Sequence, residues 1–324
     1  MVAHQTGRPV IFVGSWGDYG KLFALQADRR RFEPIFFVPS EEIRKNRLMR
    51  LFRGAASVLL YRRIIERQFG KYPEGVFLFG ERIEGLHYLA RFRPTSDVAV
   101  VLRNPMSDQM HLLEPLRAVV AAGYPVLSFD REDCERYGFR FYPQYVAPIL
   151  PLPLAPPVAD FSFLGQDKGR RPVVEDLRDR LAAKGFTASI RFAGGHGKKR
   201  GFFDKLMRKD MKKGKLSYEG YLREILSARC VIDIVQKGQH GLTLRPLEAM
   251  IYGRKLLTSS RSVREERLFH PDNVFVLDEA GSIDGIEAFM AAPMAEVSEE
   301  TKAYYSVDTL IETAIAACAG TALK

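Results

Sequence analysis

The sequence predicts an α/β protein of two domains, each built on a parallel sheet with helices on both faces. Short apolar strands alternate with helical stretches along the chain, and a proline-rich segment near the midpoint interrupts that alternation. The length, 324 residues, suits two domains of roughly 150 residues each. The domains are expected at 1–150 and 151–324, with the last helix packing back on the first domain.

In the first half, 10–13 reads as a strand entering the turn Gly14-Ser15-Trp16-Gly17-Asp18-Tyr19-Gly20. Helical spacing follows over 19–29, then a strand at 35–38 and a cationic helical stretch over 41–70. Further strands are expected at 76–79, 97–102 and 125–129. The stretch 148–157 holds five prolines, which neither continue a helix nor sit in a central strand, and it marks the linker.

Beyond the linker the alternation restarts with a strand at 161–164, a helix at 172–183 and a strand at 188–192. Tyr218, Tyr221, Leu222, Ile225 and Leu226 form one apolar helical stripe. Strands at 230–235, 255–258 and 274–277 and helices at 243–252, 283–291 and 299–318 complete the chain.

Hydrophobic residues make up 46% and charged residues 27%, the balance of a folded globular chain. No apolar run approaches the roughly 20 residues of a membrane span, and the first ten residues lack the pattern of a signal peptide. Cys134, Cys230 and Cys318 are far apart and odd in number, which predicts reduced thiols and a cytoplasmic setting. No zinc-ligand spacing, HExxH or DxD pair occurs, so no metal is expected.

The net charge of +10 is concentrated in two groups. One spans Lys198 to Lys215, with nine cations against Asp204 and Asp210; the other runs from Arg44 to Arg67. Such clusters suit an anionic membrane surface, a phosphorylated glycolipid or nucleic acid, or simply a solvated face. Aromatic residues other than Phe202 and Phe203 do not interleave with the first run, which disfavours nucleic acid.

The strongest local constellation is the run from Gln239 to Met250, QHGLTLRPLEAM, between a strand end and a helix start. Open parallel sheets bind ligands at such points. Gly241 permits close backbone approach, Thr243 can cap the helix, and Pro246 fits a first helical turn. Exposed backbone NH groups and Arg245 suit phosphate, and Glu248 one turn on suits ribose hydroxyls. The same residues would equally make an ordinary capped helix whose Arg245 and Glu248 meet solvent or each other.

A second turn, Gly165-Gln166-Asp167-Lys168-Gly169-Arg170-Arg171, follows the strand 161–164 and combines glycines with cations suited to diphosphate. It too reads as an ordinary basic turn. Both turns lie at strand ends on the same edge of one sheet, which favours a shared ligand. In the first domain Ser15, Trp16 and Asp18 are candidates for acceptor binding, and Asp18 for deprotonating an acceptor hydroxyl, although a carboxylate there also suits a helix start. Gly194 to Lys199 lacks the serine or threonine of a phosphate loop, and Gly14, Gly17 and Gly20 do not make GxGxxG.

Several stretches resemble bacterial glycosyltransferases that build lipopolysaccharide core and other surface polysaccharides. They are Tyr218-Glu219-Gly220-Tyr221, the strand 230–234, the run 239–249 and Lys255-Leu256-Leu257-Thr258-Ser259, together with Ser128 to Asp133 and Asp160 to Arg170. The resemblance implies a GT-B fold, two Rossmann-like domains facing across a cleft. It places an acceptor on the first domain and a nucleotide-sugar on the second. It implies Glu248 on the donor ribose and Arg245 and Lys168 on its phosphates, within a donor site of Gly165, Lys168, Arg170, His240, Gly241, Leu242, Thr243, Arg245 and Glu248. Where many retaining relatives carry a second glutamate eight positions before this one, the chain has His240, so retention and inversion both stay open.

The function expected is therefore hexosyl or related glycosyl transfer from a nucleoside diphosphate to a lipid-linked saccharide. It would take place on the inner face of the cytoplasmic membrane, without metal or other cofactor. A basic nucleic-acid-binding protein and a catalytically inactive GT-B-like scaffold are the alternatives.

Overall fold

A computed structural model describes residues 7–14, 16–39, 41, 55–148, 152–193, 217–236 and 241–320, the side chains of 17–19, 55–58 and 193 excepted. Two compact units emerge: Met1–Ala147 with Gln239–Gly241 and Ala303–Lys324, and Pro148–Gly238 with Leu242–Lys302.

The first unit contains β1 (Arg8–Val13), α1 (Gly17–Ala24), β2 (Phe32–Phe37), α2 (Ala55–Lys71), β3 (Val76–Gly80), α3 (Ile83–Phe92) and β4 (Asp97–Val101). After two 3-10 turns at Met106–Asp108 and Met110–Leu112 come α4 (Leu113–Ala121), β5 (Val126–Ser128), α5 (Arg131–Tyr137) and β6 (Arg140–Phe141). The strand order is β2-β1-β3-β4-β5-β6, and every pairing is parallel. All five residues of β3 are buried, as are residues 10–13 of β1. Continuous apolar strands of this kind need cover on both faces, which helices supply in a parallel sheet. Asp130 starts α5, its Oδ1 accepting from the backbone NH groups of Glu132 and Asp133.

The second unit contains β7 (Ala159–Gln166), α6 (Arg171–Ala183), β8 (Ala188–Ala193), α7 (Tyr218–Ile225), β9 (Ala228–Asp233), α8 (Leu244–Ile251) and β10 (Lys255–Thr258). A 3-10 turn at Ser262–Glu265, β11 (Val274–Val276) and α9 (Ile286–Ala291) follow. Its strands run β11-β10-β9-β7-β8, again all parallel. Phe161, Phe163, Val174, Leu177, Ile232 and Leu257 meet in its core. The expected fold class, two parallel α/β units, is the one observed.

The two sheets repeat one topological pattern. In each, the second strand lies on one side of the first and the third strand lies on the other. Each sheet therefore has a switch point, between β1 and β3 in the first unit and between β7 and β9 in the second.

The departures from expectation are local. The expected helix at 19–29 stops after Ala24. The single helix expected at 299–318 is two, α10 (Glu299–Tyr304) and α11 (Val307–Cys318). The break is tertiary: Tyr305 is fully buried and its carbonyl accepts from the backbone NH of Val146. β6, only two residues long, carries no periodicity to read. Among the described residues no helix is long and apolar enough to cross a membrane.

Candidate anion site at a strand switch point

The carboxyl ends of β7 and β9 flank the switch point of the second unit, and the polar residues of both candidate turns converge there. β9 ends in the apolar run Cys230-Val231-Ile232 followed by its last residue, Asp233, which is fully buried. Asp233 accepts hydrogen bonds from Arg245 Nη1 at 3.0 Å, Thr243 Oγ1 at 3.2 Å and Thr258 Oγ1 at 3.4 Å. Arg245, whose side chain is 14% exposed, also donates through Nη2 to the carbonyl of Leu164 at 3.0 Å. Its guanidinium is thus stretched between the ends of β9 and β7.

Arg170, from the other turn, crosses the same boundary in the opposite direction. Its Nη1 donates to the carbonyl of Ile234 and its Nη2 to that of Gln166, both at 2.7 Å. Both guanidinium groups lie over the ring of Phe163, 5.6 Å away for Arg170 and 5.4 Å for Arg245. Burial, together with the neighbouring charge of Arg245, pulls the Arg170 guanidinium below its ordinary value. The two guanidinium groups therefore repel one another across the switch point, a repulsion that a bound anion would relieve.

Gly165 makes room for this approach. A Cβ there would sit 2.6 Å from Arg245 Nη2 and 3.3 Å from Arg170 Nη2. Lys168 in the same turn has a left-handed backbone, φ 43°, and is exposed. Arg170, directly before α6, lies beside the Asp233–Arg245 pair.

The helix start at 243 differs from a side-chain cap. Thr243 occupies the cap position but makes no side-chain cap hydrogen bond, because its hydroxyl is turned to Asp233. The backbone NH groups opening α8 are therefore left without that side chain. Pro246 lies in the first turn, as expected.

Glu248 is fully buried and faces α7. Its two oxygens accept from the hydroxyls of Tyr218 at 2.8 Å and Tyr221 at 3.1 Å, whose rings stack 6.0 Å apart. Burial pushes its carboxyl up to about 7, against the opposing pull of the Tyr218 hydrogen bond, the Arg245 charge and Tyr221. In this arrangement Glu248 ties α8 to α7 instead of presenting an open carboxylate to a ribose.

Other candidate residues fall elsewhere. Gly241 groups with the first unit, where its NH donates to Asp130 Oδ2 at 2.7 Å. A Cβ on it would lie 2.8 Å from the Phe129 ring, so the close approach is to Phe129. Leu242 is buried. Trp16 is buried in the first unit, its indole NH donating to the carbonyl of Val13, so its side chain is packing and not open to an acceptor. Ser15, His240, the turn 194–199 and the basic run 198–215 lie outside the described residues, as does the side chain of Asp18.

Sequence reasoning missed Asp233, although one charged residue closing an apolar strand was a readable signal. It also missed the tyrosine pair as partners of Glu248, because a helical stripe of tyrosine and leucine reads first as packing.

Fold and site together define a protein of two parallel α/β units with an arginine-lined switch point in the second. No protein-family model matches the chain, and no curated protein matches it. Among solved structures it is similar to the calicheamicin glycosyltransferase CalG4, at 13% sequence identity over 97% of this chain and 98% of that one, with a TM-score of 0.38.

Gly165→Ala should cost about 1–3 kcal/mol by overpacking, because Asp233 and Leu164 prevent Arg245 from yielding; equilibrium urea unfolding measures this. A carboxyl raised in the folded state binds protons that the unfolded chain has released. Glu248 should therefore contribute stability that is fully present below its unfolded value and lost as pH rises to about 7. The wild-type stability should fall across this window relative to Glu248→Gln by on the order of 3 kcal/mol, and parallel pH profiles of the two proteins would contradict the assignment.

Proposed function

We propose that this chain is a glycosyltransferase that takes a sugar from a nucleoside diphosphate and passes it to a lipid-linked saccharide, of the kind found in lipopolysaccharide core. The observation that carries the reading is the pair of arginines, Arg170 and Arg245, which meet over the Phe163 ring at a strand switch point, Arg245 bonded to buried Asp233 and Arg170 to the carbonyl of Ile234. Parallel α/β sheets bind ligands at this place, and two guanidinium groups with backbone NH groups at a helix start suit a diphosphate.

In the proposed reaction an acceptor hydroxyl oxygen bonds to the anomeric carbon and gives its proton to a general base, for which Asp18 is the candidate, while the bond from that carbon to the diphosphate oxygen breaks. The electron pair leaves with the diphosphate. Arg170, Arg245 and the opening NH groups of α8 would stabilise the charge growing there, a role that fixed cations and dipoles fill without a metal. Lys168, exposed on the same turn, would add a further cation. The acceptor would bind the first unit.

The two basic groups support placement on the inner face of the cytoplasmic membrane. Arg62, Arg63 and Arg67 lie on α2 beside Leu59, which is 57% exposed, and nine cations fall between 198 and 215. Clusters of this kind are attracted to anionic headgroups.

Nucleoside diphosphates offered singly (UDP, GDP, ADP) should include one that raises the melting temperature of the wild type by mass action. Arg170→Ala should abolish most of that shift and lower turnover with the matching nucleotide-sugar at least tenfold, about 1.4 kcal/mol or more. Stabilisation by none of them, or equal stabilisation of the variant, would reject the anion site.

A further inference from the structure

The switch point of the first unit carries its own polar cluster, and it differs in kind from the arginine pair. Three neighbouring strand ends contribute: Trp16 after β1, Glu81 directly after β3, and Arg103 with Asn104 after β4. Glu81 Oε2 accepts from the backbone NH of Arg103 at 2.7 Å and from Gln109 Nε2 at 3.3 Å, while Asn104 Nδ2 donates to Oε1. Gln109 is itself buried and fixed, donating to the carbonyl of Asn104 at 2.8 Å. The carboxylate is held from three directions on a rigid strand end, yet it is only half-buried.

Glu81, one residue past the end of β3, lies beside its switch point much as Asp233, the last residue of β9, lies beside the other. The chemistry around it is reversed. Asp233 is sealed and lies against the charged head of Arg245. The donors described on Glu81 are a backbone NH and two side-chain amides, all uncharged. The head of Arg103 goes instead to Trp16, donating Nη1 to its carbonyl at 2.6 Å and lying over the indole, 5.1 Å from the ring centre. Buried Trp16 thereby acts behind Arg103. A fixed, half-open, acceptor-only group accepts hydrogen bonds from hydroxyls.

We propose that Glu81, held by Arg103, Asn104 and Gln109, binds a hydroxyl group of the acceptor saccharide; this inference rests on the glycosyl-transfer reading. The first unit then selects for neutral hydroxyls and the second for anionic diphosphate. Each sheet uses the end of its third strand for opposite chemistry. Glu81 orients the acceptor by a direct hydrogen bond, so its loss should affect saccharide binding and leave nucleotide binding as it was.

The test is saturation-transfer NMR with a delipidated, dephosphorylated lipopolysaccharide core oligosaccharide, run beside melting curves with the nucleoside diphosphate that stabilises the wild type. Wild-type protein should bind the oligosaccharide, and Glu81→Gln should weaken that binding at least tenfold while the nucleotide-induced melting shift stays the same. Equal oligosaccharide affinity in the two proteins overturns the proposal. So does a wild type that binds nucleotide and no oligosaccharide, and in that case the anion site still stands. Absence of any nucleotide shift, with oligosaccharide binding that depends on Glu81, would reject the anion site and uphold the role of Glu81. Should Glu81→Gln fail to fold, Asn104→Ala, at an exposed position, replaces it. That variant should weaken the oligosaccharide at least threefold, and unchanged affinity would again overturn the proposal.

Discussion

The arrangement of the second unit depends on one desolvated ion pair. Asp233 is wholly removed from solvent and Arg245 nearly so, and each would be costly to bury alone. Losing either member of such a pair costs about 3–5 kcal/mol, because the other charge is left uncompensated. That constraint explains the local geometry. Thr243 gives up its capping bond to reach Asp233, Thr258 contributes a second hydroxyl, and Arg245 spans from β9 to β7.

Arg170 then adds a second cation to a place already balanced. Its three carbonyl contacts hold it in place, and the shared Phe163 ring keeps both guanidinium groups over one apolar floor. Glu248, locked to Tyr218 and Tyr221, joins the helix bearing Arg245 to its neighbour. Fixed donors of this kind reorganise little when an anion arrives, and that preorganisation makes electrostatic stabilisation effective.

The fold was legible in the sequence because parallel strands buried on both faces read as short unbroken apolar runs, as at 76–79 and 10–13. Helix ends were less legible where tertiary contacts decide them. Nothing local in 299–318 announces that the carbonyl of Tyr305 turns away to meet Val146. Within the site, the meeting of the two turns followed from their shared sheet edge. The division of labour did not: whether a buried glutamate faces a tyrosine pair or a ribose depends on how α7 lies on α8, and sequence spacing does not record that angle. Gly241 was likewise readable as a close approach, but not as an approach to Phe129.

On the proposed function, Arg170 and Arg245 form one anion cradle. A crystal structure of the protein grown with a nucleoside diphosphate tests it most directly. Diphosphate oxygens are expected within hydrogen-bonding distance of both guanidinium groups, beside the carboxyl ends of β7 and β9. A diphosphate bound elsewhere, with the Asp233–Arg245 pair and Arg170 untouched, would contradict it.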